Sequence, residues 1–139
     1  MRGAVTLPPE MARTYIDTQD RHSLFYRKLR SSFRQSGVQV VDSPADATAT
    51  FSILGDVTGQ RVLSVSARNV PREFEVFYRV SFQVQTANST LIRARDRTLT
   101  RDYTWDETLV LGKEKEEALL REAITDDLVR IVMMQLSGI

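Results

Sequence analysis

Between residues 71 and 85 the sequence alternates with a period of two. Phe74, Val76, Tyr78, Val80, Phe82 and Val84 share one parity; Glu73, Glu75, Phe77, Arg79, Ser81, Gln83 and Gln85 share the other. Successive side chains of an extended strand point to opposite faces. The run therefore predicts one long strand, apolar on one face and mixed polar on the other. A strand this long and this regular fixes a sheet, and the remaining segments must be arranged around it.

Residues 1–11 contain Pro8 and Pro9 and read as an extended lead-in. Residues 12–17 read as a short β-rich strand. Asp20 is placed to cap a helix whose apolar positions are Phe25, Leu29 and Phe33, with Leu24 and Tyr26 beside them. Arg27, Lys28, Arg30 and Arg34 take its wet side, and Gly37 supplies the stop. Residues 38–41 form a short strand. Residues 48–57 alternate Ala49, Phe51 and Ile53 with Thr48, Thr50 and Ser52, and Gly55 and Gly59 predict a bulge or bend before residues 62–66. Thr86, Ala87, Asn88 and Ser89 have turn chemistry and close an antiparallel hairpin with residues 90–105. Residues 106–112 are expected as a loop. Residues 113–136 carry a helical stripe of Leu120, Ile124, Leu128, Ile131 and Gln135, with Val132 and Leu136.

The order is β-α-β-β-β-β-α. Both amphipathic helices need one sheet face to cover their stripes. The expected fold is α+β, a two-layer sandwich with two helices on one face of a mixed, mainly antiparallel four- to five-stranded sheet. At 139 residues the chain suits a single domain, taken as 12–139.

Several chemistries find no residues here. The chain has no cysteine, which excludes disulfides, thiolate metal sites and cysteine nucleophiles. Its one histidine, His22, sits alone near a helix start, and no zinc or calcium ligand spacing occurs. Gly55 and Gly59 are not followed by the lysine of a phosphate loop. The reading is therefore noncatalytic, with no cofactor and no metal. No stretch reaches the roughly 18–20 apolar residues that a spanning helix needs.

The net charge of +1 is uninformative, but its distribution is not. From Arg61 to Arg101 there are eight arginines and three carboxylates; from Asp102 onward there are nine carboxylates and four cations. Such halves favour an anionic partner for the middle of the chain, or a sheet face paired with an acidic helix. Arg93, Arg95, Arg97 and Arg101 share the parity of Leu91, Leu99, Tyr103 and Trp105. In a regular strand they would line one face. Guanidinium forks suit phosphates and carboxylates, and interleaved aromatics can stack on bases. A nucleic-acid-binding module using the arginine-rich strand at residues 91–101 is thus one of two functional readings of this chain.

The other comes from three clusters that point to a family. Leu29, Arg30, Phe33, Gly37, Val38, Val40 and Val41 close the first helix; Phe74, Val76, Tyr78 and Val80 lie in the long strand. Leu109, Val110, Leu111, Gly112, Lys113, Glu114 and Glu116 open the last helix, with Leu128, Ile131 and Leu136 further along. In this order and spacing, over residues 12–136, the chain resembles the LptE family, outer-membrane lipoproteins that partner the LptD β-barrel in lipopolysaccharide assembly. The resemblance implies a plug inside the barrel lumen, on the periplasmic side of the outer membrane, and no nucleic acid as partner. It implies membrane attachment through an N-terminal lipidated cysteine, which this chain lacks. It implies lipopolysaccharide binding through basic residues: Lys113 matches a family basic position at the start of the last helix, and Arg68 lies near a family basic loop residue. Phe77, Arg79, Arg93 and Arg95 are the residues expected to face the partner.

Overall fold

The computed structural model describes residues 6–68, 71–104 and 112–139. Five strands form one sheet: β1 (Arg13–Asp17), β2 (Gln39–Val41), β3 (Ala49–Val65), β4 (Pro71–Gln85) and β5 (Thr90–Thr104), with helices α1 (Leu24–Gln35) and α2 (Lys113–Ser137). The strand order is β2-β1-β3-β4-β5. β1 runs parallel to both of its neighbours, as the β1-α1-β2 crossover requires. β3, β4 and β5 form an antiparallel meander. The fold is the expected two-layer α+β sandwich.

The alternating run is β4. Phe74, Val76, Tyr78, Val80, Phe82 and Val84 are each at most 2% exposed, and they seat both helices. Phe82 stacks on Phe51 at 5.2 Å, and Phe51 meets Phe33 of α1 edge-on at 5.7 Å. α2 contributes Ile124, Leu128, Val129, Val132, Met133 and Leu136 to the same core. Its stripe is rotated from the expected one: Ile131 and Gln135 are half-buried, while Val129 and Met133 turn inward. Packing against α1 as well as the sheet selects this wider face.

Capping also differs from expectation. Ser23 rather than Asp20 caps α1, accepting from Tyr26 N–H at 3.0 Å. Asp20 instead accepts from His22 N–H at 2.8 Å in the turn before the helix. The reason is tertiary. Tyr78 Oη accepts the N–H of Phe25 at 3.1 Å and donates to Asp56 Oδ1 at 2.6 Å. That contact pins the first turn of α1 to the middle of the sheet and so fixes where the helix begins. At the other end Gly37 takes φ +88°, a left-handed stop that disfavours a side chain.

β3 is one continuous strand from Ala49 to Val65. A register shift between Ile53 and Gly55 supplies the expected irregularity, but Gly59 stays in register opposite Phe77. α2 is tied to β5 through Asp127, which accepts from Arg101 at 2.6 Å and from Arg130 at 2.7 Å. Lys28 of α1 reaches Glu122 at 3.2 Å and Asp126 at 2.8 Å on α2.

Tyr78→Phe keeps the ring and removes the hydroxyl, leaving Phe25 N–H and Asp56 Oδ1 unpaired in the core. The expected loss is about 1.5–3 kcal/mol, read from urea unfolding. The hydrogen bond from Arg130, reinforced by Arg101, holds the Asp127 carboxyl below its ordinary value of 3.8. Its stabilisation is therefore present above that value and disappears as pH falls through the folded-state value. Asp127→Asn should be less stable than the parent at neutral pH, the difference closing in the acid limb of a melting-temperature profile below the carboxylate range.

Candidate functional site

β3, β4 and β5 are much longer than β1 and β2, so the β3–β4 hairpin extends beyond the short half of the sheet. Along this arm several aliphatic side chains are about half exposed: Val57 (55%), Val62 (50%), Leu63 (49%) and Val65 (51%), with Leu54 (55%) at the bulge. Val62 pairs with Phe74, which is 2% exposed. Phe74 is covered because Tyr103 of β5 stacks on it at 5.2 Å. Tyr103 Oη in turn donates to Glu117 Oε1 at 2.8 Å. Burial, then the neighbouring Glu117 carboxylate, pushes the Tyr103 phenol above its ordinary range. This bond seats the first turns of α2 over β4 and β5, leaving the neighbouring end of β3 open.

Arg68 is exposed just beyond the end of β3, in a turn where its N–H donates to Ser66 Oγ at 3.2 Å. Lys113 is the first residue of α2; its side chain lies outside the described residues, as do residues 69–70 and the whole of 105–111, Trp105 included. The Tyr103–Glu117 bond places the start of α2 at the level of Val62, near the end of the arm that Arg68 follows. The two expected ligand residues thus belong to the same pole of the molecule. Glu114 and Glu116 accompany Lys113 in the first turn of the helix.

The sheet face away from the helices carries Phe77 and Arg79. Phe77 lies across Gly59, where an added Cβ would come within 3.2 Å of the ring. The guanidinium of Arg61 stands 4.6 Å from the ring centroid and is bridged to Glu75 at 3.1 Å. Glycine here lets an aromatic from the neighbouring strand close over the backbone. Arg79 is bridged to Asp96 at 2.9 Å. A hydrogen bond from Ser81, then one from Arg79, lowers the Asp96 carboxyl.

Arg95 does not join them, whereas Arg93 falls in the bulge opposite Gln83, on the Phe77 side. A register shift in β5 pairs Ile92 with Val84 and Arg95 with Phe82, leaving Arg93 and Ala94 in the extra place. Arg95, Arg97 and Arg101 therefore lie on the helix side of the edge strand, with Leu99 and Tyr103. The expectation of four arginines on one face holds for Arg95, Arg97 and Arg101 and is corrected for Arg93, which the bulge removes from that face. On that face Arg101 is held by Asp127 of α2 at 2.6 Å. The exposure of the arm's aliphatics, Val57, Val62, Leu63 and Val65, was missed from sequence. Among the described residues no group of acidic or histidine side chains is arranged to hold a metal. No helix among them is long and apolar enough to cross a membrane.

A two-layer α+β domain with an apolar-flanked, polar-tipped arm has the form of a binding or assembly module. Similar solved structures share the fold. The solution structure of an uncharacterized lipoprotein B from Nitrosomonas europaea superposes with a TM-score of 0.80 at 28% identity, covering 99% of this chain and 89% of that one. A rare lipoprotein B from Shewanella oneidensis gives 0.75 at 20% identity over 91% and 94%. A minor lipoprotein from Acinetobacter baumannii gives 0.73 at 19% identity over 92% of each chain. The LPS-assembly lipoprotein LptE of Yersinia enterocolitica is 25% identical over 138 residues, covering 98% of this chain, which spans 66% of that relative. Residues 11–136 match the LptE family model, described as lipopolysaccharide-assembly. This chain belongs to the LptE family.

Replacing Phe77 by Ala should lower the unfolding free energy by about 1 kcal/mol by uncovering Gly59. Arg61→Ala should cost no more than about 0.5 kcal/mol, because its ion pair is solvated. Urea denaturation separates the two; no loss in Phe77→Ala would contradict the cross-strand pairing.

Proposed function

We propose that this protein is a noncatalytic lipopolysaccharide-assembly factor of the outer membrane. On this reading it is lipid-anchored on the periplasmic side, plugs and helps assemble an LptD-like β-barrel, and binds lipopolysaccharide during delivery to the cell surface. The observation that carries the reading is the family match over residues 11–136. The arm supports it physically. Half-exposed aliphatics on both faces of the arm are costly in water and gain on entering a close-fitting partner. Phe77 and Arg79 offer the barrel wall a ring and a guanidinium, with Arg93 and Arg95 at the sheet edge.

Arg68 and Lys113 are assigned to lipopolysaccharide. Both are cations at the arm-side pole, and a lysine opening a helix adds its charge to backbone donors that favour phosphate. Glu114 and Glu116 oppose that attraction, which suits a site that must release its ligand.

Arg68→Glu with Lys113→Glu should weaken lipopolysaccharide binding by tenfold or more, about 1.4 kcal/mol, with little change in melting temperature. Retained binding would remove these two residues from the site. Co-expression with the cognate barrel should yield a stable complex through purification; failure to form one would overturn the plug.

A further inference from the structure

α1 carries a basic feature that neither the plug nor the lipopolysaccharide site uses. Arg27, Arg30 and Arg34 recur at i, i+3 and i+7 and so share a helix face. With Arg21, Tyr26 and Gln35 they line a surface groove of about 440 Å3. Arg27 Nε donates to the His22 carbonyl at 3.3 Å, and Arg21 contacts Tyr15 Oη at 3.5 Å. None of the four guanidiniums forms an ion pair among the described residues. Lys28 on the same helix turns the other way and is bridged to two carboxylates of α2. The groove side is thus left with concentrated, uncompensated positive charge. Like charges one helical turn apart repel, so an arriving anion relieves a cost already present.

The chemistry of the anion follows from the donors. Planar guanidinium forks match phosphate oxygens in pairs. The location argues for phosphates on a surface. Thr6, Leu7, Pro8 and Pro9 line a neighbouring groove with Gln35, Ser36 and Gly37, so the start of the chain is seated at the Arg34 end of α1. The other end of α1 lies at the level of Asp56, through the shared contact with Tyr78. The end of β3 at Val65 is nine residues further on, roughly 30 Å at strand rise. The α1 groove is therefore remote from Arg68.

We propose that the arginine groove of α1 docks the protein on an anionic phospholipid surface, taking phosphodiester headgroups between Arg27, Arg30 and Arg34. The orientation rests on the lipid-anchored reading: a tether ahead of Thr6 brings the Arg34 end of α1 to the bilayer. The charge complementarity does not depend on it. Each basic side chain near an anionic leaflet strengthens partitioning several-fold, and salt screens the effect.

The test is co-sedimentation of the 139-residue chain with vesicles of phosphatidylglycerol mixed into phosphatidylcholine, against phosphatidylcholine alone. The expected result is binding to the anionic vesicles only, lost as salt is raised. The three Gln substitutions, Arg27→Gln, Arg30→Gln and Arg34→Gln, should together reduce partitioning about a hundredfold, and the three Glu substitutions by more than that, with circular dichroism confirming the fold of both. Arg72→Glu with Lys115→Glu, exposed charges elsewhere, should sediment like the parent. Equal binding to neutral vesicles, or α1 variants that bind like the parent, would overturn the proposal. So would saturable calorimetric binding of inorganic pyrophosphate without vesicle binding, which would mark a site for a soluble phosphate. Neither lipopolysaccharide nor a barrel is present, so failure here leaves the assembly role untouched, and failure of the barrel complex leaves this result standing.

Discussion

Both helices rest on six alternate side chains of β4, and a single hydroxyl among them decides the register. Tyr78 lies under the start of α1, accepts one of its orphan N–H groups and donates to Asp56 on the next strand. Apolar burial alone would let a helix slide along a row of Val and Phe, because the hydrophobic effect is not directional. The hydrogen bond is directional, and in a buried setting breaking it is expensive. The helix start, the Ser23 cap and the seating of Phe25, Leu29 and Phe33 follow from that anchor.

The second consequence of a long β4 is that the sheet exceeds what its helices can cover. α1 and α2 together bury the row from Phe74 to Val84, while β3 runs on to Val65 beside it. Val62, beside Phe74, is what remains of that mismatch on the helix side, while Val57 and Val65 are exposed on the other face. A protein that worked alone would gain by shortening the strand or making it polar. One that inserts into a partner gains by keeping it, and the proposed plug gives the arm that use. The two basic poles divide along the same axis: Arg68 and Lys113 belong to the arm end, and the α1 arginines to the half of the sheet where the chain begins.

The element order and the two-layer architecture were legible in the residues, because β4 alternates without a break and α1 has a strong apolar face. The family resemblance was legible too, since its clusters lie at helix ends and in β4, where local structure restricts residue type. The site was less so. The phase of β5 depends on one extra residue between Ile92 and Arg95, and nothing local marks it: no glycine or proline stands there. Counting parity from Leu91 therefore puts Arg93 with Arg95, although they occupy different positions about the bulge. Parity alone turns Phe77 outward, but its ring is already engaged by Gly59 and Arg61.

By itself the sequence determined which segments are strands and helices and which faces of β4 and α1 are apolar, because periodicity is a property of the chain. The tertiary structure decided the rest. It chose Ser23 over Asp20 as the cap, since Tyr78 lies fifty-three residues from the N–H it binds. It joined residues 49–65 into one strand and brought the start of α2 to Tyr103. It also divided the cations of α1, turning Lys28 toward the acids of α2 and leaving Arg27, Arg30 and Arg34 on the side away from them. Charge pairing depends on distances between segments remote in sequence, and only the packed fold sets those distances.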